Sequence, residues 1–302
     1  MSTYQDIFDQ ALKRREESRQ NFINESKENR KRCREMSDTM VDRLSKDGEI
    51  YRQYLDMQDT FPHHSPNNVL LIMAQRPDAT QIGNYQYWRD HHVSIKKEER
   101  GNPILILEPG DKYTRTDHSN GTYYNGTYYN AKRNYDISQT TAKWKPKPRP
   151  VYDLDKLMAC IATTSPVPIT RVDPDTLPAG TGALYDPSTD SIKLHNQLEN
   201  GTTIFQCVTM EMAHALMAQG DPQYDRDAHG LKALSASYLL CIRYGVDTKA
   251  YNFDGAEQLF PDMDNGQIKQ ELFTIKRTAQ EISKKMDREL RHYEAQRQSK
   301  AR

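Results

Sequence analysis

Ser65-Pro66-Asn67-Asn68-Val69-Leu70-Leu71-Ile72-Met73-Ala74-Gln75 decides how the first half of this chain is read. Serine is a good helix cap and proline fits the first helical position, where its missing N–H is no loss. Pro77 then ends the run, because the residue before a proline is pushed out of helical geometry. The stretch predicts a short apolar helix over 66–75. Its core, Val69 to Ala74, is the longest unbroken apolar run in the chain. That is far short of the roughly 20 residues a membrane span needs, so no membrane partner is expected.

Upstream, residues 4–59 contain no proline and are dense in Glu, Lys, Arg and Gln. They predict two helices broken near Lys46-Asp47-Gly48, with Met36, Met40, Val41 and Leu44 forming a thin apolar face. Downstream, a second short helix is expected over Tyr85–His91. Val93–Ile95 and Ile104–Leu107 read as strands around a charged turn. Residues 121–125, Gly-Thr-Tyr-Tyr-Asn, are repeated at 126–130, and both Asn120-Gly121 and Asn125-Gly126 read as hairpin turns.

Residues 143–150, KWKPKPRP, carry four basic groups and three prolines. Alternating proline favours an extended spacer, so a domain boundary falls here. The second half then predicts a helix near Asp155–Thr163 and a hairpin over 182–194. A helix over Thr202–Gln219, capped by Thr202 or Thr203, and a helix over Leu231–Tyr244, ended by Gly245, follow. From Ile268 onward, Leu272, Ile275, Ala279, Ile282 and Met286 continue a heptad seam. Packing on its own domain and pairing with a coiled-coil partner both fit that seam. The expected class is α+β: a small α+β domain and a mostly helical domain with a β-hairpin, flanked by long helices. The expected divisions are a helical extension (1–59), a first domain (60–142), the linker (143–150), a second domain (151–260) and a C-terminal helix (261–302).

The 302 residues are 36% apolar and 28% charged, with 18 Tyr and a net charge of zero. The zero conceals segregation. Residues 91–150 hold 11 basic and 6 acidic groups, net +5, whereas residues 151–270 hold 8 and 16, net −8. Separate domains with separate partners follow from such asymmetry. The four cysteines form no CxxC pair, and the polar N-terminus has no secretory h-region. A reducing cytoplasm is the expected setting.

Asn67, Asn68, Gln75, Tyr85, Trp88, Lys96, Lys97 and Arg100 fall within 34 residues, and Lys143, Lys145 and Lys147 follow. Cations along a backbone and flat rings that stack on unpaired bases are what hold single-stranded nucleic acid, and these residues are its candidate contacts. A core role for Trp88 and a solvated turn at Lys96-Lys97 fit the same residues. The order N-N-x-L-L-I-x-x-Q-x-P-x-A-T, then Trp88, V-x-x-K-K and G-x-x-I-L-I-L-x-P resembles the N-terminal single-stranded-DNA-binding domain of ArdC-type antirestriction proteins, over about residues 60–140. The resemblance also implies that Tyr135–Thr140 is that domain's closing strand, and the family usually has Gly after the paired lysines, where this chain has Glu98.

The family resemblance implies a zincin-like peptidase domain next, with His-Glu-x-x-His on a helix. Such spacing puts two imidazoles on one face for zinc, with Glu as general base. The matching segment here is Met210-Glu211-Met212-Ala213-His214. Met210 replaces the first ligand, and no carboxylate lies between Asp227 and Asp247, where a third ligand from the next helix belongs. Glu211 and His214 therefore read as vestigial, and no cofactor is expected. A rebuilt zinc site drawing on His195, Asp225, Asp227 and His229 is the alternative, and would make an active metallopeptidase. A scaffold whose acidic second half binds a protein is a third possibility. The resemblance implies sequence-tolerant single-stranded DNA binding by a mobile-element antirestriction protein, with a restriction or DNA-transfer protein as a further partner.

Overall fold

Without proline to interrupt it, the charged N-terminal sequence runs as one helix, α1 (Tyr4–Leu44), in this computed structural model. Residues 3–116, 121–146, 151–219, 221, 223–254 and 260–300 are described. The remaining helices are α2 (Gly48–Thr60), α3 (Pro66–Gln75), α4 (Tyr85–Asp90), α5 (Leu154–Thr164), α6 (Gly201–Ala218), α7 (Arg226–Tyr244) and α8 (Asn265–Lys300). The strands are β1 (Ile82–Asn84), β2 (Ile104–Thr116), β3 (Tyr123–Asp136), β4 (Ile169–Val172), β5 (Ala183–Asp186) and β6 (Ser191–His195). The break between α1 and α2 falls where expected. Asp47 caps α2 by accepting hydrogen bonds from the Glu49 and Ile50 N–H groups.

Two compact units emerge: residues 1–40 with 67–146, and residues 41–66 with 147–302. The first 60 residues are thus shared between the units rather than set apart as an extension. The units carry net charges of +4 and −4.

In the first unit, β1, β3 and β2 form an antiparallel sheet in that order. One buried cluster joins Cys33 of α1, Leu71 of α3 and Leu105 of β2; another joins Trp88, Ile95 and Tyr135. Three local expectations are corrected here. Ile95 makes only an isolated bridge to Thr140, not a strand over 93–95. β3 stops at Asp136, and 137–139 form a single 3-10 turn rather than the end of a strand. Asn125-Gly126 lies inside β3 instead of forming a turn. Glycine is needed there for another reason: a Cβ on Gly126 would sit 2.3 Å from the Tyr113 ring across the ladder. The connection between β2 and β3 includes Gly121, at φ +71°, while Asn120 lies outside the described residues.

In the second unit β5 and β6 form the expected hairpin, and β4, which the pattern did not announce, pairs parallel to β6. The α6 cap is Asn200, whose side chain accepts from the Thr203 N–H, rather than Thr202 or Thr203. α7 starts at Arg226, earlier than the apolar pattern suggested, because Asp225 caps it; it ends at Gly245, φ +71°. Ile268, Leu272, Ile275, Ala279, Ile282, Met286 and Leu290 are all buried, and α8 packs on α5, α6 and α7. The heptad seam is therefore spent within its own unit. No described helix is long and apolar enough to cross a membrane.

Candidate functional site

Residues 68 and 75 are seven apart, two helical turns, so their amides leave the same face of α3. That face meets the outer edge of β2. Asn68 donates to the Leu107 carbonyl (2.8 Å) and accepts from the Leu107 N–H (2.9 Å). Gln75 does the same at Leu105, at 2.9 Å in both directions. Leu105 and Leu107 point their backbone groups away from β3, so the two side chains act as a substitute strand and close a sheet edge. Asn67 accepts from the Ser37 hydroxyl at 2.6 Å, and Trp88, fully buried, donates its indole N–H to the Tyr135 carbonyl at 2.9 Å. Asn67, Asn68, Gln75 and Trp88 were expected to touch DNA. Asn68 and Gln75 brace the edge of β2, Asn67 Oδ1 is taken by Ser37, Trp88 is fully buried, and Gln75 also lines the cleft described next.

The remaining candidates stay at the surface. Tyr85 is 62% exposed. Lys96 is exposed and donates to the Ser138 carbonyl at 2.8 Å. Lys97, Arg100, Lys143 and Lys145 are exposed, and Lys147 lies outside the described residues. An open cleft of about 580 Å³ is lined by Asn29, Arg32, Arg76, Asn102 and Arg133 together with Gln75, the one member of this lining that the sequence put forward. Arg76 pairs with Glu99 at 3.4 Å, and Arg133 with Glu25 at 2.5 Å, both within reach of solvent. The i, i+3 pair Asn29 and Arg32 on α1 was the available signal. That pair sits on a helix whose charged pattern sets it apart from the first domain in sequence, although residues 1–40 belong to that unit in the fold.

In the second unit, Glu211 is fully buried on α6. Arg226, the first residue of α7, grips it with both terminal nitrogens, at 2.6 and 2.7 Å. The Tyr185 N–H of β5 adds a third hydrogen bond at 2.7 Å. His214, one turn along α6, is 2% exposed and shares a 2.6 Å hydrogen bond between Nδ1 and the Tyr224 hydroxyl. Burial, with Arg226 and His229 nearby, pulls the His214 pKa down to about 3; burial pushes the Tyr224 phenol up to about 12. The pair is neutral at pH 7. Met210 is half-buried in the position of the first ligand.

The substitute ligands are not gathered. Asp225 is spent capping α7, accepting from the Asp227 N–H at 2.9 Å. The His229 Nδ1 lies 2.7 Å from the Asp225 carbonyl, and the Tyr224 ring is in contact with both His229 and His214. The His195 Nδ1 accepts from the Gln197 N–H at 3.1 Å and lines a different cleft, of about 510 Å³, with Cys207. Among the described residues no three His, Cys, Asp or Glu side chains are grouped to hold a metal ion.

The arrangement is an α+β fold of the kind seen in a solved antirestriction protein. No protein-family model matches this chain, and no curated protein matches it by sequence. Two solved structures share its fold. One is the metal-free ArdC antirestriction protein from plasmid R388, with TM-score 0.50 and 15% identity over 74% of this chain and 85% of that one. The other is the Mn(II)-bound structure of the same protein, with TM-score 0.53 and 13% identity over 84% and 97%.

That neighbour holds Mn(II), so the Met210–His214 segment of this chain can be asked whether it suits a divalent cation. The residues here do not fit one. A thioether is a poor ligand for a hard or borderline cation. The buried carboxylate already accepts three hydrogen bonds, and its charge partner is a guanidinium that never deprotonates.

Proposed function

We propose that this chain is a single-stranded-DNA-binding protein of the antirestriction type, carried by a mobile genetic element and acting in the cytoplasm. In this reading the first unit holds the strand. The second is a peptidase-like unit without its zinc site, and its partner is a restriction or DNA-transfer protein. The observation that carries the reading is the open cleft in which Arg32, Arg76 and Arg133 stand beside Asn29 and Asn102. Guanidinium groups bind phosphate oxygens in pairs of hydrogen bonds, and amides add contacts without sequence preference. Exposed ion pairs such as Arg133–Glu25 are worth on the order of 1 kcal/mol or less, so phosphate can displace the carboxylate. Lys96, Lys97, Arg100, Lys143 and Lys145 extend the positive surface of the same unit.

Fluorescence anisotropy with a labelled oligothymidylate, titrated at rising salt, tests this. Log affinity should fall linearly with log salt, and Arg32→Ala with Arg133→Ala should flatten the slope by about 0.7 for each contact removed. Binding that prefers duplex, or none at micromolar protein, contradicts it.

A further inference from the structure

Beyond Leu107 and Ala131 the two long strands of the first unit leave the sheet and continue as a two-stranded ribbon. Five tyrosines ride on it, and four of them are 44–76% exposed: Tyr123, Tyr124, Tyr128 and Tyr129. The duplicated Gly-Thr-Tyr-Tyr-Asn decides which side each takes. Side chains alternate with period two along a strand, and the repeat is five residues, an odd number. The second copy is therefore inverted relative to the first. Tyr124 and Tyr128 share one face, and Tyr123 and Tyr129 share the other.

The register adds partners from β2. Arg115 lies opposite Tyr124, and Tyr113 opposite Gly126, where the missing Cβ makes room for the Tyr113 ring. The Tyr113 and Tyr128 ring centroids are 4.4 Å apart. The Arg115 guanidinium lies 4.9 Å from the Tyr113 centroid, on the side of the ribbon that carries Tyr124 and Tyr128. One face of the ribbon thus carries a continuous row: Tyr128, Tyr113, Arg115, Tyr124. The opposite face carries Thr114 hydrogen-bonded to Asn125, with Tyr123 and Tyr129 at its two ends.

We infer that this row is a stacking platform for the unpaired bases of single-stranded DNA, resting on the function proposed above and assigning it a second contact surface besides the cleft. Rings left half in solvent with no apolar core over them retain their π-faces for a ligand, and a guanidinium plane stacks on bases as rings do. An anionic flat ligand suits the row, because Arg115 stands within it. Stacking does not discriminate among bases, which matches a protein that tolerates any sequence.

The test uses the full chain and a single-stranded oligonucleotide containing 2-aminopurine, whose fluorescence reports stacking. A double variant, Tyr124→Leu with Tyr128→Leu, should lose roughly tenfold in affinity per ring removed, and the fluorescence change on binding, with an unaltered salt slope. Tyr124→Phe with Tyr128→Phe keeps the rings and should bind within about twofold of the wild type. Tyr123→Leu with Tyr129→Leu removes rings from the other face and controls for damage to the ribbon; it too should bind nearly as well as the wild type. Equal binding by the Tyr124/Tyr128 leucine variant and the wild type overturns the platform while leaving the cleft standing. A loss shared by both leucine pairs, or by the phenylalanine pair, also overturns it. Failure of the wild type to bind any single strand overturns the platform and the proposed function together.

Discussion

The cleft of the first unit and the Glu211 helix of the second both gather polar and charged side chains, but they use them in opposite ways. In the cleft, Arg32, Arg76 and Arg133 stay at an open surface, and the two with carboxylate partners hold them at the rim. Around Glu211, the carboxylate receives two bonds from Arg226 and one from Tyr185, and His214 is taken by Tyr224. Open charge with weak partners can be exchanged for a ligand at little loss. Buried charge with saturated partners cannot, because removing one partner strands the other in a low dielectric. In the proposed reading, the difference separates a surface able to exchange partners from a cluster that serves as internal scaffolding.

The largest expected effect lies in the closed region. Arg226→Ala leaves a fully buried carboxylate without its cation and should destabilise the second unit by about 3 kcal/mol, the lower end for such pairs because the guanidinium is itself a third exposed. Urea unfolding measures it; a change within error would mean that Glu211 is not held by this pair. Next is the clamp of the first unit. Asn68→Ala strips the Leu107 N–H and carbonyl of their partners and should cost about 2 kcal/mol. If Asn68 instead served DNA, the substitution would lower affinity and spare stability.

Smaller still, taken per pH unit, is the pH dependence of the closed site. The folded pKa of His214, about 3, is below its unfolded value near 6.5. Between these values the unfolded chain takes up a proton that the folded one refuses, so stability falls as pH drops through that window. The slope from this group is at most about 1.4 kcal/mol per pH unit, and His214→Gln should flatten it. An unchanged acid limb would show that the ring is not held neutral among Tyr224, Arg226 and His229. The smallest expected effect is none: Met210→His alone should give no thermal shift with Zn²⁺ or Mn²⁺, since Arg226 still satisfies Glu211 and a third ligand is still missing. A stabilisation by either ion would reopen the site.

Element positions were largely legible because they rest on local signals. Asp47-Gly48, Pro66 and Gly245 punctuate helices through backbone chemistry that does not depend on the rest of the fold. The heptad seam of α8 was visible too, although only packing on α5, α6 and α7 shows what it covers. The site was legible in a different measure. Met210 beside Glu211 could be read directly, but the partner of Glu211 could not: Arg226 lies 15 residues beyond it and reaches it through the turn between two helices. Asn68 and Gln75 illustrate the opposite problem. Their amides fit nucleic acid as well as they fit a strand edge, and only the geometry of Leu105 and Leu107 decides between the two. The Asn125-Gly126 step misled for the same reason, since glycine serves a cross-strand ring as readily as a turn.

The contrast between an open first unit and a closed second one is tested most directly by an anisotropy titration of single-stranded DNA with the full chain, run across salt with and without EDTA. Salt-dependent binding at submicromolar protein, identical in both series, is the predicted result. Absence of binding, or binding that EDTA abolishes, contradicts it.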